Sequence, residues 1–170
     1  MSSVVLVDWA DAAARAEKIL GPLCATLRPI LPPSAEIEHI GATAVPGCIT
    51  KGDLDIVVRV DAEDFLEADR VLASRCGRNG ASAKTDAFAS FECEVSDPPT
   101  GIQLVSKGSP LDDFLTFRDL LRQDDQLVRA YNDLKQGAAH LGRDGYWQAK
   151  NVFISQVLRD RRNSEIGKSG

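Results

Sequence analysis

Residues 37–60 read IEHIGATAVPGCITKGDLDIVVRV, and this stretch decides the fold. Residues 35–42 alternate polar and apolar side chains, which predicts a strand that runs into a turn-rich segment. Residues 53–60 form a short segment rich in β-branched and apolar residues, which predicts a second, buried strand. Two strands joined by a loop of small residues indicate a sheet with a ligand-binding loop at one edge.

Asp53 and Asp55 are two residues apart in the second predicted strand, so both side chains leave the same face. Their Cα atoms are expected about 6.6 Å apart, close enough to share a divalent cation. Leu54 and Ile56 point to the opposite face and into the core. An isolated Asp-x-Asp pair is more often a solvated strand face than a metal site, so the pair needs its context.

The context is the loop that starts at Gly41. A glycine there allows the backbone to approach a phosphate, with backbone amides and the Thr43 hydroxyl as donors. Taken alone, residues 41–47 are more often just a tight turn. Together with the acid pair, they predict a phosphate-binding loop beside a metal-binding face.

The rest of the chain predicts helices around this sheet. A helix is expected over residues 9–31, capped by Asp8 and kinked or divided at its prolines, and a second over 61–77, ending at Gly77. Strands are expected at 4–7, 90–95 and 101–106. Three helices then follow up to residue 162, with breaks near residue 123 and at 141–145. We predict one domain, residues 1–170, with an α/β core (1–109), a helical arm (110–162) and a tail (163–170).

Composition narrows the class of protein. The 170 residues are 44% hydrophobic and 26% charged with a net charge of −5, which is typical of a globular domain and does not favour a binder of nucleic-acid backbones. The four cysteines form no CxxC pair, which argues against a zinc site. The absence of a signal peptide or a long apolar segment predicts a cytoplasmic protein with reduced thiols.

Residues 37–60 resemble the signature of the GrpB family, close to IEHIGSTAVPGL followed by KP and IDI. Further family elements match FRDLLR (117–122), YNDLK (131–135) and GYWQAKNVFISQVL (145–158). The family is assigned to the nucleotidyltransferase superfamily. The resemblance implies a nucleotidyltransferase-like mixed sheet flanked by helices, with a C-terminal helical segment.

The resemblance implies a site as well as a fold. Asp53 and Asp55 would be the catalytic, metal-binding pair for Mg²⁺ or Mn²⁺, with Gln103 as a further ligand. The remaining binding residues, which would hold a nucleoside triphosphate, are His39, Gly41, Ala42, Thr43, Lys51, Arg118 and Lys150. The implied function is nucleotidyl transfer from the triphosphate to an acceptor, a small molecule or a protein, that the sequence does not identify.

The chain departs from the family pattern at three positions. Ala42 and Gln103 favour a second hypothesis, a non-catalytic module that binds a nucleotide or a phosphorylated metabolite, whereas the additional acid Asp53 makes the chain more similar to active transferases. Ala42 replaces the loop serine. Asp53 adds an acid where the family usually has only the second one. Gln103 occupies a position where the family tends to carry histidine and active transferases a third carboxylate, although Glu92 and Glu94 could substitute. For Arg118 and His39, structural roles are as plausible as ligand contact. A third hypothesis, association through the arm, rests on its amphipathic helices, and the oligomeric state is not predicted.

Overall fold

The computed structural model describes residues 3–93 and 96–167. In chain order, the helices and strands are α1 (Trp9–Leu27), β1 (Glu36–Ile40), β2 (Leu54–Val60), α2 (Phe65–Ala73), β3 (Gly77–Arg78), β4 (Phe88–Cys93), β5 (Thr100–Ser106), α3 (Phe114–Gln123), α4 (Asp125–Ala138) and α5 (Gly142–Ile166). Short 3₁₀ turns lie at Ala42–Ala44, Ala62–Asp64 and Ala139–Leu141. The predicted mixed α/β class is confirmed.

Within the described residues the strands form one sheet in the order β1-β2-β5-β4-β3. Strand β2 pairs antiparallel with β1 and parallel with β5, and β4 pairs antiparallel with both β5 and β3. Because β2 has a partner on each side, its backbone polar groups are satisfied within the sheet. The strand that the sequence predicts to be buried, β2, is therefore an interior strand of the sheet.

The two faces of the sheet have different covers. On one face, apolar side chains of β2, β4 and β5 pack against α1 and α2, and this cluster contains Leu54, Ile56, Phe65, Phe91 and Leu104. On the other face, a smaller cluster around Val57 packs against α3. The helical arm also packs on the loop after β1, through contacts that include Tyr131 with Val45 and Cys48. The arm thus covers the face that carries the acid pair.

Several sequence expectations about element boundaries were wrong. Residues 4–7 form no strand, and Val7 makes a single bridge to Thr50. Helix α1 ends at Leu27 and not near residue 31, because Pro29 has no N–H to continue the helical ladder. Gly77 begins β3 instead of ending α2. Helix α5 continues to Ile166, past the expected start of the tail.

Smaller details of these helices also differ. Pro22 lies inside α1 without ending it, and Asp8 precedes the helix but makes no capping hydrogen bond. Asp124 does cap α4, accepting from the amides of Gln126 and Leu127 at 2.8 and 3.1 Å. The three arm helices, with a break at Asp124, are as predicted.

The expectation of reduced thiols was wrong for two cysteines. Cys76 and Cys93 form a disulfide with their Cα atoms 5.0 Å apart, which links the segment after α2 to the end of β4. Cys24 and Cys48 are free and buried. Among the residues described, no helix is long and apolar enough to cross a membrane.

Adjacent residues of α2 provide a test of this packing. Phe65 is 1% exposed in the core and Leu66 is 61% exposed. We expect Phe65→Ala to lower the free energy of unfolding by about 3–5 kcal/mol, because it leaves a cavity between α2 and the sheet. Leu66→Ala should change it by no more than about 0.5 kcal/mol. Urea denaturation followed by circular dichroism measures both, and equal losses would contradict this placement of α2.

Candidate functional site

The acid pair lies at the start of β2. Leu54 and Ile56 are fully buried in the core, so the alternation of the strand directs Asp53 and Asp55 to the opposite face. Asp53 immediately precedes the strand and forms an ion pair with Lys51, with Nζ 2.8 Å from Oδ2. Asp55 is the second residue of β2 and is only partly exposed.

The Asp55 carboxylate lies between two glycines, Gly41 directly after β1 and Gly101 on β5. A Cβ atom at Gly41 would be 2.6 Å from Oδ2, and one at Gly101 would be 2.7 Å from Oδ1. Gly101 is the direct partner of Asp55 in the parallel pairing of β2 with β5. Because neither glycine has a side chain, the two neighbouring strands leave room for the carboxylate.

The Asp55 side chain receives little compensation for its burial. No hydrogen-bond donor and no cation within ion-pair distance faces it from residues 3–93 or 96–167. Burial is the largest influence on the pKa of Asp55 and raises it, and the Asp53 carboxylate raises it further. The ammonium groups of Lys150 and Lys51 lower this pKa, but the net shift is upward. A desolvated carboxylate without hydrogen bonds is costly, and a bound cation would remove that cost.

Lys150 is the cation that the helical arm brings towards Asp55. It lies on α5, and its Nζ is 5.5 Å from the centre of the Tyr146 ring. Burial lowers the pKa of Lys150, and Asp55 is the largest opposing influence. Asp53, Lys51 and Cys48 also act on this ammonium. Two acidic and two basic side chains, from β2, the preceding loop and α5, therefore form one electrostatic cluster.

The predicted phosphate loop contains a structural hydroxyl. Gly41 has a φ of 74° and leads into the 3₁₀ turn Ala42–Ala44. The Thr43 hydroxyl donates to the Asp53 carbonyl at 3.2 Å and lies 2.9 Å from Nε2 of His39. Thr43 is 2% exposed. Its hydroxyl therefore serves the loop, and in this conformation it does not replace the serine hydroxyl that Ala42 lacks.

Two predicted binding residues occupy structural positions. Arg118 connects α3 to β1 through Nη1, which lies 3.0 Å from both the Glu38 carboxylate and the His39 carbonyl, and its Nε donates to Asp119 at 2.8 Å. These contacts match the structural alternative considered for Arg118. His39 lies beneath the loop, and burial lowers its pKa.

Gln103 is displaced along the sheet from the acid pair. It pairs with Val57 on β2 and with Ser90 on β4. Val57 lies two residues after Asp55 on β2, so Gln103 is not the direct neighbour of the acid pair. Gly101 occupies the position beside Asp55, and sequence reasoning missed it, because the strand register is not visible in the sequence. Glu92 pairs with Gly101 and forms an ion pair with Arg143 at 3.4 Å. Glu94, the other expected substitute, lies outside the described residues.

The donor set is that of a small carboxylate site. No group of three or more His, Cys, Asp or Glu side chains that could hold a metal occurs in the described part of the chain. Two neighbouring carboxylates nevertheless fit Mg²⁺, which is commonly held by one or two carboxylates together with waters and substrate phosphates. Asp53 and Asp55 would therefore fit a metal ion that also takes ligands from water and a nucleotide, whereas the described residues supply too few ligands for a metal held by protein alone.

Comparisons with known proteins agree with this architecture. The family model described as GrpB protein matches residues 6–160. A UPF0157 protein of Vibrio cholerae is 35% identical over 130 residues, which are 74% of this chain and 67% of that protein. The crystal structure of the conserved protein GrpB from Enterococcus faecalis superposes with a TM-score of 0.70 at 20% identity, covering 92% of this chain and 96% of that one.

The fold is also similar to that of Cid1, described as having RNA terminal uridylyl transferase activity. The TM-score is 0.50 at 15% identity, and the match covers 74% of this chain. It spans only 40% of the Cid1 chain, so the likeness concerns the fold of one part of that enzyme.

Gly101 offers a direct test of how Asp55 is accommodated. Gly101→Ala places a methyl group 2.7 Å from Oδ1 of Asp55, and we expect it to lower the free energy of unfolding by about 1–3 kcal/mol. Gly137→Ala is the control, because nothing lies within 4 Å of a Cβ atom there. Since Gly137 is in α4, its substitution should stabilise the protein by up to about 1 kcal/mol. Chemical denaturation measures both, and an unchanged Gly101→Ala protein would contradict the close approach.

The raised pKa of Asp55 predicts that its charged form destabilises the folded protein and that this destabilisation depends on pH. A carboxyl group whose pKa is higher in the folded state stabilises the fold below its unfolded value of 3.8, and that stabilisation is lost as pH rises through the folded pKa. At pH 7, in EDTA, Asp55→Asn should therefore melt at a higher temperature than the wild type. The difference should shrink as pH falls towards 4.

The control for this pH series is Asp86→Asn, which removes an exposed carboxylate outside the site. Its melting temperature should follow the wild-type curve. A lower melting temperature of Asp55→Asn at pH 7 would mean that the carboxylate has a stabilising partner.

Proposed function

This chain belongs to the GrpB family and has a nucleotidyltransferase-like fold, and we propose that it is a magnesium-dependent nucleotidyltransferase. The substrate would be a nucleoside triphosphate, and the nucleotidyl group would pass to a small-molecule or protein acceptor. The observation that carries the proposal is the Asp55 carboxylate, which lies beside Asp53 without a hydrogen-bond donor from the described residues. A largely desolvated carboxylate without a hydrogen-bond donor is a group that a bound cation would stabilise.

Asp53 and Asp55 would hold the magnesium ion, with water and phosphate oxygens as its other ligands. When bound, the ion would neutralise charge on the phosphates and on the pyrophosphate leaving group. Mn²⁺ has the same preference for oxygen ligands and would fit the same pair.

The chain's own residues would position the triphosphate around that ion. Gly41 has no side chain to obstruct approach, and the amides of Ala42 and Thr43 begin a 3₁₀ turn and so have no acceptor in its ladder. Lys51, 47% exposed, would exchange its ion pair with Asp53 for a phosphate oxygen. Lys150 would approach from the arm as a second cation, and these charge-assisted contacts would orient the phosphates for in-line attack.

Nucleotide binding with matched variants tests the proposal. We expect Mg-ATP or Mg-GTP to bind the wild type and to bind Asp53→Asn/Asp55→Asn at least about tenfold more weakly, a loss of about 1.4 kcal/mol. The Asp86→Asn variant should bind as the wild type does. Isothermal titration calorimetry measures all three proteins, and equal affinity in the double variant would overturn the proposal.

A non-catalytic module that binds a nucleotide or phosphorylated metabolite is the second candidate. It is favoured by Gly101, which supplies no third ligand beside Asp55, and by the loss of a loop hydroxyl at Ala42. Binding tolerates the loss of a metal ligand better than group transfer does. Pyrophosphate release with a panel of hydroxyl and amine acceptors separates the two, because a binding module retains nucleotide affinity without turnover.

A further inference from the structure

A concave surface is lined in part by the loop that borders Asp55. It is a cleft of about 720 Å³ between the first half of α1, the loop after β1 and the end of α3. Neither Asp53 nor Asp55 lines it. The volume falls in the range of small-molecule sites, and the lining combines apolar side chains with a few polar groups.

One wall of the cleft is apolar and fixed in place. Ala10, Ala13 and Ala14 lie at helical spacing on one side of α1, where their small side chains leave room. Trp9 lies beside them, and its indole Nε1 donates to the Thr43 carbonyl at 3.0 Å. The helix and the anchored indole therefore present a wall suited to an apolar or flat molecular body.

The hydrogen bonds of Thr43 determine which His39 nitrogen remains available. The Thr43 hydroxyl has one proton and two neighbouring acceptors, the Asp53 carbonyl at 3.2 Å and Nε2 of His39 at 2.9 Å. When the hydroxyl donates to the carbonyl, its oxygen accepts from Nε2, and Nε2 carries the proton. Burial lowers the pKa of His39, and the nearby Arg122 and Arg118 lower it further, whereas Glu17 raises it. The net shift of the pKa is downward, which favours the neutral ring. In this tautomer Nδ1 is the hydrogen-bond acceptor of a ring that lines the cleft.

The charged groups of the cleft have opposite signs and come from opposite walls. Glu17 on α1 is exposed and has no ion-pair partner among the residues that the structure describes. Arg122 on α3 donates from Nε to the Ala44 carbonyl at 2.9 Å, and its Nη1 lies 3.8 Å from Oδ1 of Asp119. Its side chain is 41% exposed, so the guanidinium is accessible to a ligand. A ligand with a single charge would gain at one wall and lose at the other, whereas a ligand with both charges gains at each.

We propose that this cleft is a binding site for a small zwitterion of the α-amino-acid type with an apolar side chain. The ammonium group faces Glu17 and Nδ1 of His39, both of which accept hydrogen bonds. The carboxylate faces Arg122, and the apolar body packs against Trp9 and the alanines of α1. The cleft shares Thr43 with the proposed phosphate loop but is not lined by Asp53 or Asp55, so the zwitterion does not require the acid pair.

Trp9 supplies an internal reporter once the other tryptophan is removed. Trp147 is 55% exposed on α5, so Trp147→Phe leaves a protein whose emission comes from the cleft. In that background, L-phenylalanine, 2-phenylethylamine and 3-phenylpropionate form a matched set with both charges, only the cation and only the anion. We expect saturable changes in Trp9 emission, with L-phenylalanine bound at least about tenfold more tightly than either analogue.

Substitutions of the two charged walls assign the selectivity. Glu17→Gln removes the group that faces the ammonium, so L-phenylalanine should no longer bind more tightly than 3-phenylpropionate. Arg122→Gln removes the group that faces the carboxylate, so L-phenylalanine should no longer bind more tightly than 2-phenylethylamine. Glu63→Gln and Arg129→Gln are the controls, because both residues are exposed and outside the cleft. Both should bind as the parent does.

A variant that fills the cleft but remains folded distinguishes a loss of binding from a loss of structure. Ala14 is exposed on α1, so Ala14→Phe should retain the circular dichroism spectrum and abolish binding. Binding should persist in Asp53→Asn/Asp55→Asn, which separates this site from the proposed transferase activity. Equal affinity for the three ligands, no change in Trp9 emission at about 10 mM ligand, or binding that survives Ala14→Phe would each overturn the proposal.

Discussion

The structure depends on the position of β2 between an antiparallel partner and a parallel one. Because both of its edges are paired, its side chains alternate strictly between two covered faces. Leu54 and Ile56 enter the core under α1 and α2, and this burial anchors the strand. Asp53 and Asp55 must then point towards the arm. The same pairing places Gly101 beside Asp55.

The acid pair combines a structural cost with a chemical use. Burial disfavours the ionised Asp55, and the closest cations act on it from a distance instead of through hydrogen bonds. Ligand sites commonly weaken the free protein in this way, because groups arranged for a ligand are incompletely satisfied without it. Gly41 and Gly101, on either side of Asp55, also leave the site open for a ligand. They leave the carboxylate space that the surrounding packing would otherwise fill.

Side chains from several helices hold the loop after β1 in place, and this loop borders both the acid pair and the cleft beside α1. Its carbonyl groups accept hydrogen bonds from side chains of α1, α3 and α4, namely Trp9 to Thr43, Arg122 to Ala44, Asn132 to Gly47 and Lys135 to Ile49. Lys135 is only 1% exposed, and its ammonium also lies 4.4 Å from the centre of the Tyr131 ring. Such anchoring preorganises both surfaces and leaves Thr43 as the hydrogen-bonded link between His39 and Asp53.

The sequence by itself determined the features that local periodicity encodes. Strand alternation gave β2 and the shared face of Asp53 and Asp55, and helical spacing gave the three arm helices. Only the tertiary structure decided which distant residues meet. Gly101 beside Asp55, Lys150 across from it, the disulfide of Cys76 and Cys93, and the anchored Thr43 all depend on strand register and helix docking. These contacts join residues far apart in the chain, and no local pattern specifies such pairings.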